Sequence, residues 1–570
     1  MRADWILRRA PWLLTALVLA ILLPGTAKLP LIDRDEPRFA TATREMMERG
    51  DWVVPTFNGH ERFDKPVLTY WLMRVGYWIF GVGELGARVH AITATLVLVL
   101  ATWWIGRRWF GEAVGLYAGA ILASCLQVFI HGRLALADMP MVACVLIACA
   151  ALKELLGSAA TAIPLRTPAW WLLYGALGLG FLAKGPIVFA VPVLGLLIFR
   201  FILFRRPLSW AQLGIAPGLA LSLIIVAAWG IPALIVTEGR FWRVGMGEHV
   251  VQRGFERFNG RGYSPLFYIG TAPLSLFPWI GLVGFLPWII RRTWDERTAW
   301  LVSWIAATYL IFTAYATQLP HYVLPAFPAL ALLLGRALST DRATWPRGAV
   351  KAAWIFVGVV GLMLAGVFTA ILLADIPPEA DGLRGAFIGA VAVLLGLLLS
   401  LVGTLSARIG IVLLALFLVV PGATLMGRSL QRTSLTAASA SWVRDLPAAT
   451  RCLGAGFSEP SVVFYTGRQW TFAQNAEELT DGVRQPGSLV IATVVEETDP
   501  LDFFRAGLAE RFGSASPARV HAGPTEFAGA LAGMTATAGW SSREVVGFNL
   551  GRTRWQKLRI WLRLGGAVAY

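Results

Sequence analysis

Four ionisable groups follow one another in "LIDRDEPRFA": Asp33, Arg34, Asp35 and Glu36. They stand directly after an apolar run that can enter a bilayer, where charge is costly and usually paired or functional. A carboxylate at a membrane surface can act as general base on an incoming hydroxyl, or hold an acceptor and a developing cation by charge. Lys65, in "FDKPVLTYW", can neutralise a phosphate leaving group. A plain helix start explains the same letters: Asp as N-cap, Glu36 and Pro37 in the first turn, and a helix over 37–49. The two readings need not compete, and on both Asp33 and Arg34 are solvated support.

Further charges sit at apolar segment ends. "FIHGRLALADMPMVAC" puts Arg133 and Asp138 at the outer ends of two apolar helices, as a site, a salt bridge or a helix cap. Lys184, in "LGFLAKGPIVFA", precedes the helix-breaking Gly185 and Pro186; it either snorkels to the interface or faces a lipid phosphate. "FWRVGMGEHVVQRGFERFNGRGYSP" gathers Glu248, His249, Arg253 and Arg257 with Phe255 and Phe258, the mixture of an amphipathic interfacial helix. Tyr322 in "TQLPHYVLPAFPALALLLG" fits an aromatic belt. His60, His249 and His321 could share a divalent metal with a carboxylate, but no short ligand motif supports this and no cofactor is required.

The elements that must position these groups are transmembrane. Of 570 residues 56% are hydrophobic and 15% charged, with 25 Trp, and the mean hydropathy is +0.63, outside the range of soluble domains. About thirteen apolar segments are expected, among them 9–26, 88–106, 113–130, 139–155, 170–184, 264–290, 322–338, 352–374, 385–405 and 408–425. "WLLTALVLAILLPGTA" could be a cleaved signal, yet the many later spans favour an uncleaved first helix. Basic clusters such as "ILRR", "GRRWFG", "FRRP" and "RRTWDER" fall on alternate sides, so Met1 is cytoplasmic and the long loops 27–87 and 235–263 lie outside. The net charge of +16 therefore needs no nucleic-acid partner. Three of four cysteines lie in apolar spans, so no disulfide framework is indicated.

Residues 1–426 thus read as a polytopic membrane domain, and 427–570 as a small periplasmic α/β domain. In the tail "PSVVFYTG", "SLVIATVV" and "REVVGFNL" look like strands, while 474–483 and 499–511 look helical. The closing "RTRWQKLRIWLRLGG" suits either an element lying on anionic headgroups or a closing element of the domain.

Taken in order, "DRDEPRFA", "FDKPVLTYW", "RLALADMP", "FLAKGP", "GEHVVQRGFERF" and "QLPHYVLPAFPALALLLG" resemble motifs of the ArnT-like (aminoarabinose transferase) branch of the GT-C lipid-linked glycosyltransferases, relatives of the protein O-mannosyltransferases. The likeness is good over roughly 5–340 and looser beyond. It implies a GT-C fold in the bacterial inner membrane, and inverting transfer of a sugar from a polyprenyl-phosphate donor to lipid A or another envelope glycolipid. Carried over, Asp35 is the main catalytic carboxylate and Asp138 helps hold acceptor or sugar. Arg38, Lys65 and Lys184 grip the carrier phosphate, His249 and Tyr322 contact it, and Glu36, Asp64 and Arg253 line the substrates. Phe39 in place of a frequent Tyr, Asp64 in place of Glu, and "KPVL" in place of a double Pro leave the particular sugar and acceptor open. A uronic-acid or other hexose transferase, a protein O-glycosyltransferase, and a transporter or flippase are the alternatives. A transporter should show internal repeats and mid-bilayer charges, and neither is evident in the sequence.

Overall fold

The computed structural model describes residues 2–157, 167–204, 210–252, 264–277, 279–353, 434–499, 520–535, 539–549 and 554–564, with a few isolated positions between them. The segments expected at 385–405 and 408–425, and all but the start of 352–374, lie outside the described residues.

The chain opens with α1 (Arg2–Arg8) and α2 (Ala10–Leu22), then crosses a long loop carrying α3 (Asp35–Glu48), the hairpin β1 (Thr56–Phe57) and β2 (His60–Glu61), and α4 (Leu68–Phe80). The membrane layer continues with α5 (Glu84–Phe110), α6 (Glu112–Ala123), α7 (Leu126–Gly132), α8 (Asp138–Leu156), α9 (Pro168–Lys184), α10 (Ile187–Ile198) and α11 (Ile215–Val236). After α12 (Arg240–Trp242) come α13 (Phe267–Ser275), α14 (Leu286–Arg292), α15 (Glu296–Ala314) and α16 (Phe327–Leu338). Among the described residues four helical stretches are long and apolar enough to cross a bilayer: Glu84–Phe110, Asp138–Leu156, Trp210–Val236 and Pro320–Leu338. The pair α6 and α7 makes a fifth if its 63° bend is one broken span.

Burial divides these helices by role. α8 is buried on nearly every side, whereas α11 exposes Leu219, Leu223, Ile224, Ile231 and Ile235, side chains for which hydrocarbon is the fitting solvent. α4 leaves Val75, Trp78, Ile79 and Phe80 exposed, an apolar face of the kind that rests in a membrane interface. Glycines bring α5 and α6 together: a Cβ on Gly106 would lie 2.8 Å from the Gly115 Cα, so the two backbones touch.

Two expected single spans are broken. The segment 113–130 divides into α6 and α7, and 264–290 divides into α13, a 3-10 stretch Trp279–Phe285, and α14. The breaks satisfy each other. Leu126 N donates to Phe277 O at 2.8 Å, the Cys125 thiol donates to Ser275 O at 3.0 Å, and Trp279 Nε1 donates to Ser124 Oγ at 3.0 Å. Backbone groups freed inside an apolar layer need such partners, which local apolar periodicity does not reveal.

The C-terminal stretch forms a mixed sheet of β3 (Arg451–Ala455), β4 (Thr471–Ala473), β5 (Leu489–Thr498), β6 (Val520–Ala522), β7 (Trp540–Asn549) and β8 (Arg554–Arg563). Its order is β4-β3-β5-β8-β7, with β6 on the end of β5. Helices α17 (Leu435–Arg444), α18 (Pro460–Thr466), α19 (Ala476–Arg484) and α20 (Thr525–Thr535) complete it. The runs "SLVIATVV" and "REVVGFNL" fall on β5 and β7, and the helix expected at 474–483 on α19. "PSVVFYTG" is the helix α18 instead of a strand, with Pro460 at its first position and Val462 and Val463 packed on the sheet. The basic closing segment is β8, hydrogen-bonded between β5 and β7 with Leu558 and Ile560 fully buried, and so is a closing element of the sheet. Most of 499–511 lies outside the described residues.

Gly106→Ala is expected to lower the unfolding midpoint in detergent, by about 1–3 kcal/mol for a methyl forced against backbone. Gly175→Ala on α9, where a Cβ meets nothing within 4 Å, should not lower it.

Candidate active site

The first loop is organised around a buried ion pair. Glu36 Oε1 accepts from Arg88 Nε at 2.8 Å and from Ala135 N at 2.6 Å. Its Oε2 accepts from Arg88 Nη2 at 2.8 Å and from Ile32 N at 2.7 Å. Arg88 also donates to the carbonyls of Thr26, Leu29 and Pro30, and the two side chains are 1% and 0% exposed. Glu36, expected at the substrate, is therefore structural: every acceptor direction is occupied, and it ties α3 to α5 and to the loop before α8.

That clamp frees its neighbour. Asp35 is the first residue of α3, and the cap position is Arg34, so the expected Asp cap is not made. Asp35 is exposed, and no hydrogen bond or ion pair joins it to another described residue. Arg38, one turn on and half-buried, and Arg62, buried, both act on it electrostatically. Burial, then the like charge of Arg62, pushes the Arg38 guanidinium below its usual range. Arg62 Nη1 meets Asp64 Oδ2 at 2.7 Å, its Nε donates to Tyr70 Oη at 3.2 Å, and it lies 5.2 Å from the Phe39 ring. Lys65 is half-buried, its Nζ donating to Asp64 O at 3.0 Å, and it precedes α4 by a few residues instead of starting it.

Arg62 was not singled out in the sequence. The signal for it was the Asn58–Gly59 pair, a two-residue hairpin turn: β1 pairs with β2 across it, and Arg62 N donates to Pro55 O at 2.8 Å, carrying Arg62 back beside α3.

A second cluster surrounds Asp138, the first residue of α8. Lys184, the last residue of α9, forms an ion pair with Asp138 and lies 5.4 Å from the Tyr322 ring. Gly185 allows that placement by ending α9 with φ of +83°, a conformation glycine adopts without strain. His321 Nε2 stands 3.7 Å from Asp138 Oδ1, and His131 packs on His321 with ring centroids 4.5 Å apart. Lys184 is thus neither snorkelling nor alone, and Arg133, the expected partner of Asp138, donates instead to Pro24 O at 2.6 Å. The clusters are linked through Glu36, which holds Ala135 in the loop leading to Asp138.

Asp33 is not solvated support either. It accepts from Ser461 N at 2.8 Å and Ser461 Oγ at 2.5 Å. Burial, outweighing those hydrogen bonds, pushes its carboxyl up to about 7, with Glu459 adding to the rise and Arg38 opposing it. The backbone at His249 is helical, within Arg243–Gln252, while Arg253 lies outside the described residues. Among the described residues no three or more His, Cys, Asp or Glu side chains converge as a metal site.

Residues 64–231 match the family model described as dolichyl-phosphate-mannose-protein mannosyltransferase. The undecaprenyl phosphate-alpha-4-amino-4-deoxy-L-arabinose arabinosyl transferase of Edwardsiella ictaluri is 32% identical over 369 residues, covering 63% of this chain and 64% of the relative. The same-named protein of an Enterobacter species is 32% identical over 330 residues, 56% of this chain and 58% of that one. The chain therefore matches somewhat under two thirds of the length of these relatives. The crystal structure of ArnT from Cupriavidus metallidurans bound to undecaprenyl phosphate aligns over 98% of both chains, with a TM-score of 0.71 and 20% identity. The chain has an ArnT-like fold. The apo form of that ArnT aligns over 89% of this chain and 94% of its own, with a TM-score of 0.68. The ordered motifs from "DRDEPRFA" to "QLPHYVLPAFPALALLLG" thus lie in a chain of ArnT-like fold, a multi-pass membrane protein by its apolar spans.

Glu36→Gln is expected to cost about 3–5 kcal/mol by leaving Arg88 buried without its counter-charge, whereas Asp35→Asn should leave the unfolding midpoint unchanged; unfolding in detergent compares them. Asp33 has an unfolded value of 3.8 and a folded value of about 7, so the folded chain holds the extra proton between them and its stability falls as pH rises across that window. Asp33→Asn should remove that component, read as unfolding midpoints against pH.

Proposed function

We propose that this chain is an inverting glycosyltransferase that moves a sugar of the aminoarabinose type from a polyprenyl-phosphate donor to lipid A or a related envelope glycolipid. The observation that carries the reading is Asp35: an exposed carboxylate with no hydrogen bond or ion pair to another described residue, held by a buried clamp beside two arginines, in a chain of ArnT-like fold. The reaction occurs on the periplasmic face of the inner membrane, with the N-terminus cytoplasmic, about thirteen spans, and residues 427–570 as a periplasmic α/β domain.

A polyprenyl tail stays in hydrocarbon, so its phosphate must meet cations at the interface. Arg38 and Lys65, both half-buried in the first loop, fit that requirement, and Tyr322 and Lys184 stand together at the mouth of α8. Inversion follows from one in-line displacement. An acceptor oxygen attacks the anomeric carbon, the bond to the carrier phosphate breaks, and the released phosphate keeps that electron pair beside the cations. If the acceptor is a lipid phosphate it is already ionised, and Asp35 contributes by orientation and by charge opposite the developing oxocarbenium. If it is a hydroxyl, Asp35 accepts its proton. Asp138, neutralised by Lys184 and faced by His321, holds the sugar or acceptor by hydrogen bonds.

Purified wild type is expected to transfer sugar from a synthetic polyprenyl-phosphate donor to lipid A, detected by mass spectrometry. Asp35→Asn should lose about 10²–10⁴-fold in rate while remaining folded. Full activity in that variant would remove Asp35 from the mechanism, and absence of transfer by wild type to any glycolipid acceptor would sink the reading.

A further inference from the structure

Helix α18 touches the first loop at two separated points. Near the start of α3, Asp33 accepts both hydrogen bonds of Ser461, and Leu31 N donates to Tyr465 Oη at 2.8 Å. Further along α3, Arg44 donates to the carbonyls of Phe464 at 2.9 Å and Val463 at 3.3 Å. A helix held at one point can pivot; held at two it has a fixed direction.

α18 also completes the apolar core of that loop. Phe464 is buried with Leu31, Phe39 and Ala40, from which it lies more than four hundred residues away in sequence, and with Tyr70. On its other side α18 is anchored in the sheet: Val462 and Val463 pack with Phe457, Val490 and Leu558, and Ser461 Oγ lies 2.8 Å from Thr436 Oγ1. Phe39, in the same core, packs on Tyr70 with ring centroids 5.3 Å apart and lies under Arg62, so α18 supports the arginine side of the site as well. Asn58, at the hairpin turn before Arg62, exchanges two hydrogen bonds with the Trp470 backbone, at 2.7 and 2.8 Å.

We infer that α18 aims Asp35: Asp33, Ser461, Arg44 and Phe464 are positioning residues that hold α3 in the direction from which its first carboxylate meets the acceptor. The inference rests on the glycosyl-transfer reading above. Its physical basis is that small displacements of a catalytic group cost rate steeply while leaving remote binding contacts intact.

The test uses full-length protein in nanodiscs, with steady-state kinetics and hydrogen exchange. Phe464→Ala and Asp33→Ala should each lower kcat about 10–100-fold with the donor KM held within about twofold. The amides of residues 35, 36, 38, 39 and 40 should exchange faster and those of α8 should not. Phe464→Leu, which keeps most of the volume, and Asp33→Asn, which keeps an acceptor for Ser461 N, should recover most of kcat; Ser461→Ala, a milder change, should fall between. Unchanged kcat in folded Phe464→Ala and Asp33→Ala, or a loss that the conservative variants share, overturns the aiming role. Should wild type transfer no sugar, the functional reading falls by itself, and unchanged exchange at 35–40 in Phe464→Ala would still overturn the positioning claim.

Discussion

The geometry of the first loop and the helices it meets depends on one buried carboxylate. Glu36 sits where three pieces of chain meet: the first loop just before α3, the start of α5, and the loop that leads to α8. Removing a charge from water is expensive, and the pair with Arg88 is favourable only because both side chains meet well-placed partners on all sides. Such an arrangement tolerates little displacement. Its neighbour Asp35 inherits that rigidity without sharing the hydrogen bonds, so an exposed carboxylate is presented with little freedom to move.

Around that anchor the charges divide into two kinds. Asp138 and Lys184 neutralise each other at the head of α8 with His321 beside them, and the loop leading there is tied to the first-loop network by the Ala135–Glu36 hydrogen bond. Arg38, Arg62 and Lys65 stand with Asp35 and Asp64, three cations to two anions, a balance that suits an anionic lipid ligand. Arg62 keeps its charge in spite of burial because Tyr70, Asp64 and Asp35 surround it.

The C-terminal sheet is joined to this face by side chains of both partners. The Asp33–Ser461 contact, the Arg44 cap on α18, and the Asn58–Trp470 exchange all run between the first loop and residues 461–470. A loop of this length with little regular structure would otherwise carry a large entropy of ordering. Sharing Phe464 gives the loop an apolar core that its own residues fill only in part.

Composition and ordered motifs were enough to read a multi-pass membrane chain of ArnT-like fold, because bilayer thickness and the cost of buried charge act locally along the sequence. The helix after Asp35, the strands β5 and β7, and the placement of Asp138 and Lys184 at helix ends were legible for the same reason. Which carboxylate is clamped and which is exposed was not, since Asp35 and Glu36 are adjacent letters of similar chemistry and partners distant in sequence, Arg88 foremost, distinguish them. The paired breaks at Cys125 and Phe277, the helical state of "PSVVFYTG" and the engagement of Asp33 likewise depend on partners distant in sequence. Local pattern determined what each segment could be and which solvent it needed; tertiary structure decided partnership, because a hydrogen bond or ion pair is set by distance in space.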